Sequence, residues 1–138
     1  MTAIFPEERE AKRIALLDTV ESLRDVFIAG ADEAEQTGTL PSATVDAIDS
    51  AGLFSYKAAR EFGGAEADAL TQLDVIEAAS RIDPAAGWCI MICSGSQSGM
   101  TAYLSEESLR EVCIDGKLPR VAGAQAPSGQ AKVIEDGY

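Results

Sequence analysis

Residues 83–104 read DPAAGWCIMICSGSQSGMTAYL, and the fold of the chain turns on this stretch. Asp83 followed by Pro84 predicts a helix start, because an Asp side chain accepts from the free N–H groups of a first turn and proline lacks only a donor that would go unused there. No charged side chain follows until Glu106. Ala85, Ala86, Trp88, Cys89, Ile90, Met91, Ile92 and Cys93 are apolar on every side of a 3.6-residue wheel, which predicts a helix buried inside a bundle. Its second half, Ser94 to Gly99, is small and polar, so another backbone or a flat ligand can come close, at a cost of about 1 kcal/mol per interior Gly. The apolar run falls short of the roughly 20 residues that a bilayer span takes. Other segments are therefore expected to cover it.

On its N-terminal side three segments carry helical periodicity. Glu7 to about Gln36 reads as one long amphipathic helix, with Leu16, Val20, Leu23, Phe27 and Ala31 on one face and Glu8, Arg9, Lys12, Arg13, Asp18 and Glu21 on the wet face. Thr37-Gly38-Thr39 breaks it. Leu40-Pro41-Ser42 opens a shorter helix with Val45, Ile48 and Ala51 as its stripe and Gly52 as a left-handed stop. A third runs from Ala69 to about Ile82, capped by Asp68 or Thr71, with Leu73, Val75, Ile76 and Ala79 as its apolar residues. In the loop before it, Gly63-Gly64 permits positive φ or close backbone approach but lacks the spacing of a phosphate loop.

On the C-terminal side, Leu104-Ser105 opens another helix, with Leu109, Val112 and Cys113 inward and Gly116 as its stop. After Gly116 the helical period is lost. Arg120 to Ala124 and Ala131 to Glu135 read as short strands around the Pro127-Ser128-Gly129 turn, and Asp136-Gly137 is a hairpin signal followed only by Tyr138. The expected fold is mainly α: an up-and-down bundle of about five helices over residues 1–117, with an incomplete β segment over 118–138 that reads as the beginning of a truncated β domain.

Composition narrows the function classes. The chain has 138 residues, 23 acidic against 11 basic and no His, for a net charge of -12. Nucleic acid and anionic membranes need a basic patch, so neither is an expected partner. Without His no Ser-His-Asp set can form, and two thiols four residues apart, Cys89 and Cys93, make a poor metal site; with Cys113 they read as reduced core thiols, and no metal is expected. Neither a signal peptide nor a membrane span is recognisable, so the expected location is cytoplasmic. Glu61, Glu66 and Asp68 read as a solvated acidic loop rather than a proton-transfer cluster.

The order LPSATVDAIDSAGLF, EFGGAEAD, LTQLDVIEAASRIDPAAGW, YLSEESLREV and AGAQAPSGQAKVIEDGY resembles the acyl-CoA dehydrogenase superfamily over nearly all of the chain after the first helix. Gly87-Trp88 and the APSG turn look closest to its branch of two-component flavin monooxygenases. The resemblance implies the N-terminal portion of a tetrameric flavin-dependent oxidoreductase, acting in acyl-CoA dehydrogenation or flavin-dependent hydroxylation of an aromatic substrate and not expected to turn over alone. It implies FAD or FMN as cofactor, Gln125 and Ser128 as cofactor contacts, and Trp88 as a pocket-lining residue. It further implies a homo-oligomer, and an electron-transfer protein or flavin reductase as redox partner. Those monooxygenases carry a His where Ser96 stands here, and serine is no base near neutral pH, so Ser96 is a pocket candidate and the catalytic residue is unassigned. A helical binding or assembly module without catalysis is the alternative.

Overall fold

The computed structural model describes residues 5–123, 126, 129–135 and 137. Among these residues six α-helices follow one another, α1 (Arg9–Ser22), α2 (Arg24–Thr37), α3 (Ser42–Ser50), α4 (Ala69–Ile82), α5 (Pro84–Tyr103) and α6 (Glu106–Val112), with a 3₁₀ turn at Arg60–Phe62 between α3 and α4. The mainly α bundle is as expected. Its centre is the set Leu16, Val20, Phe27, Ile48, Leu53, Tyr56, Val75 and Ile90, all essentially without exposure. Helix α4 packs most extensively on α5, and α1 lies against α4 on the other side.

The caps are local, and the structure places them where the residue types predict. Asp83 accepts from Ala85 and Ala86 at the start of α5 (3.0 and 3.2 Å), and Asp68 accepts from Leu70 and Thr71 at the start of α4. Glycine serves close packing between helices. A Cβ on Gly87 would stand 2.9 Å from the Ser80 backbone, so α4 and α5 touch main chain to main chain there. At Gly64 a Cβ would fall 1.9 Å from the Ala58 carbonyl oxygen, which explains the second glycine of the EFGG loop.

Several expectations are corrected. The helix expected over residues 7–36 is two, interrupted at Leu23 (φ -94°, ψ 1°). Near the break, Thr19 and Ser22 hydroxyls bond back to the carbonyls of Ala15 and Thr19, the competition with the helical ladder that bends helices. Apolar spacing stays in phase across it, since Leu16, Val20 and Phe27 are all buried, so periodicity carries no sign of the interruption. Lys12 belongs to the buried set at 7% exposure because its ammonium reaches inward to the Glu66 carbonyl oxygen. Leu73 is exposed while Thr71 takes the buried position, satisfied by a 2.6 Å bond to Asp68.

Gly116 does not stop α6. That helix ends at Val112, which is itself partly exposed, and Asp115 and Gly116, both at positive φ, form the tight turn that pairs Ile114 with Lys117. Residues 120–123 and 131–133 form no strand, and strand pairing among the described residues is confined to the isolated bridges Ile114–Lys117 and Ile134–Gly137. An extended segment with no neighbour to receive its N–H groups gains no ladder. Ala124, Pro127, Ser128 and Asp136 lie outside the described residues.

The largest correction concerns α5. Ala86, Gly87, Ile90, Cys93, Ser94 and Gln97 are buried, but Trp88 is 62% and Tyr103 90% exposed. Among the described residues the helix is covered on one flank only.

Candidate functional site

Trp88 is exposed because it stands on the rim of a groove. The groove, 690 Å³ in volume, runs between the end of α2, the first turns of α3, the first half of α5 and residues 120–123. Leu40, Val45, Phe54, Trp88 and Ile92 supply most of its apolar wall. It exists because α2 stops at Gly38, in the left-handed conformation at φ 70°, and the chain turns away before Pro41 restarts a helix. Cys89 and Cys93, one turn apart, complete the α5 side. Burial pushes both thiols up from their ordinary pKa, which disfavours the reactive thiolate form near pH 7.

The fourth wall is a strap, residues 117–123, with no regular secondary structure after Lys117. Leu118 anchors it in a small cluster with Ala58 and Leu109. Gln97, fully buried in α5, donates from Nε2 to the Pro119 carbonyl at 2.8 Å, and its Oε1 has no partner among the described residues. Arg120 spreads its guanidinium over two carboxylates of α3, Nε to Asp49 at 2.8 Å and an Nη to Asp46 at 2.7 Å. Val121, Ala122 and Gly123 then line the groove.

Among the described residues the groove holds four ionisable side chains, Glu35, Cys89, Cys93 and Arg120. The two thiols are neutral, and the guanidinium is shared by Asp46 and Asp49, which raise its proton affinity further. What remains is an apolar slot with an acidic rim. Its shape and lining suit a flat apolar molecule, and its described residues bring together no set of groups for proton transfer. No group of three His, Cys, Asp or Glu side chains suited to a metal ion comes together among the described residues.

Trp88 lines the groove; Ser96 does not, and its hydroxyl is turned back onto the Ile92 carbonyl at 3.0 Å. Gln125 and Ser128 lie outside the described residues. Of the acidic trio, Asp68 caps α4, Glu66 accepts from the Arg60 backbone, and the three form no common site. Sequence reasoning missed Arg120, the Asp46 and Asp49 pair and the end of α2. The partners are more than 70 residues apart in the chain, and only the fold brings them together.

Residues 10–114 match the family described as acyl-CoA dehydrogenase, N-terminal domain. A pigment production hydroxylase of a Rhodococcus species is 29% identical over 91% of this chain. The oxygenase subunit HsaA of a flavin-dependent monooxygenase from Mycobacterium tuberculosis is 24% identical over the whole of it. The chain spans about a third of those relatives' length, 32% and 34% respectively. The solved structure of XiaF from Streptomyces sp., in complex with FADH2 and glycerol, superposes with a TM-score of 0.68 at 32% identity, covering 72% of this chain and 25% of XiaF.

Proposed function

The chain belongs to the acyl-CoA dehydrogenase N-terminal domain family, and from that premise we propose that it is the substrate-side helical portion of a flavin-dependent oxygenase, with the Trp88 groove as the surface that receives a neutral aromatic substrate. One observation carries the reading: an indole 62% exposed on the wall of an apolar groove. A ring stacked on the indole would cover the apolar area that Trp88 leaves exposed on this otherwise well-packed bundle. The names of the relatives, a hydroxylase and a monooxygenase oxygenase subunit, favour oxygenation over dehydrogenation of an acyl-CoA. So does the groove, where the lining cation is already paired and nothing described suits the phosphates of CoA.

The same lack applies to a flavin's phosphates, so the groove itself does not fit the cofactor. We assign FAD or FMN contact to Gln125 and Ser128, two and five residues beyond the groove wall at Gly123, with the rest of the cofactor site in parts that the longer relatives possess. The flavin would supply the redox chemistry. This chain's residues would hold the substrate ring against Trp88 and keep water from it. Ser96 borders the exposed face of α5 and would meet a ligand extending along that face. The beginning of a β domain at residue 118, a homo-oligomer and a flavin reductase partner belong to the same proposal.

The test titrates the purified chain with a neutral polycyclic phenol and, separately, with FAD and FMN, following the fluorescence of its single Trp. Saturable quenching by the phenol, absent in Trp88→Ala, is the expected result. Unsaturable quenching sinks the groove as substrate surface, and flavin binding that displaces the phenol reverses the assignment of the groove.

A further inference from the structure

We infer that the ion pair of Arg120 with Asp46 and Asp49 sets the charge preference of the groove, making these three residues its specificity determinants against anionic ligands. The inference rests on the groove being a ligand surface. Arg120 is the one cationic side chain among the described residues that line it. Left to itself, a guanidinium beside an apolar wall would make a strong site for a carboxylate, sulfonate or phosphate attached to a ring. Here the fork is turned onto α3, where the two aspartates stand three residues apart on one helical face and each takes one end of it. Glu35 on the rim adds a negative charge of its own. A neutral ring meets only hydrocarbon and indole; an anionic one meets a cation already engaged and a carboxylate that repels it.

The same pair fixes the strap. Arg120 lies between Pro119, held by Gln97, and Val121 to Gly123, which form the wall, so charge selection and wall position share one contact. Removing the two acids frees the cation; removing the cation frees the acids. The two changes loosen the strap alike but act oppositely on an anion.

The experiment measures the affinity of the purified chain for two probes of similar shape, neutral phenylnaphthylamine and anionic anilinonaphthalene sulfonate, in the wild type, Asp46→Asn/Asp49→Asn, Arg120→Gln and the triple variant. The double Asn variant is expected to bind the sulfonate about fivefold tighter, as one half-exposed charge pair warrants, with the gain lost in high salt. Arg120→Gln and the triple variant show no such gain. A gain that persists in the triple variant, or none in the double, overturns the inference. Circular dichroism identifies any variant that fails to fold, and Asp49→Asn alone then replaces the double. Failure of the neutral probe to bind the wild type refutes the groove as a ligand surface and the inference with it; neutral-probe binding without a sulfonate gain in the double Asn variant refutes the charge preference alone.

Discussion

Asp68 concentrates three tasks in one carboxylate. It caps α4, bonds the Thr71 hydroxyl at 2.6 Å and pairs with Arg9 at 3.2 Å. The Thr71 bond, more than Arg9, holds its pKa well below the ordinary aspartate value. A depressed folded-state pKa means that the charged form stabilises the fold at every pH above the unfolded value near 3.8, and that this contribution is lost as pH falls through that value toward the folded one. Asp68→Asn keeps the shape and an acceptor but has no charge to titrate. Its stability deficit relative to wild type, measured by denaturant unfolding, is expected to be constant from neutral pH down to roughly pH 5 and to shrink below about pH 4. A deficit independent of pH throughout would show that the charge of Asp68 contributes nothing.

At the scale of elements, α5 is divided lengthwise. Trp88, Ile92, Gly95, Gly99 and Tyr103 recur at spacings of three and four on one face, and a Cβ placed on Gly95 or Gly99 would meet nothing within 4 Å. Ile90 points the other way, into the core with Val75 and Ala79. Truncating Ile90 to Ala removes fully buried methyl groups and is expected to cost about 2–5 kcal/mol, whereas Trp88→Ala, although it deletes the largest side chain of the protein, is expected to cost less than about 1 kcal/mol. Chemical denaturation of both variants checks this. A costly Trp88→Ala would mean that the indole packs within the fold rather than awaiting a ring.

For the whole molecule, a net charge of -12 surrounds an exposed indole. Neutral acrylamide is expected to quench Trp88 efficiently at any ionic strength, and iodide poorly in dilute buffer but increasingly as added salt screens the field over a Debye length of about 10 Å. Equal quenching by the two in low salt would place the acidic faces too far from the groove to matter. The helices, their caps and the glycine-bearing loop were legible in the sequence because each rests on contacts within a few residues: Asp83 with Ala85 and Ala86, Asp68 with Thr71, the apolar rows on α1 to α4. The resemblance implies a pocket-lining Trp88; the structure shows it exposed on the wall of an apolar groove, and that this groove receives a substrate is a proposal. The interruption at Leu23 escaped because the buried rows on either side of it stay in register. Full burial of α5 was expected since an all-apolar wheel says that a helix can be covered, not how many neighbours cover it. The strap and its clamp escaped for the same reason at longer range: Arg120 reads as one charge in an extended stretch until the fold sets it against aspartates more than 70 residues earlier. The sequence by itself determined where most helices lie and how α4 and α5 are capped, because hydrogen bonds one turn apart and side-chain period need no distant partner. Which face of α5 is open, where the groove lies and which charge is neutralised there were decided only by tertiary structure, since burial and ion pairing are properties of what packs alongside.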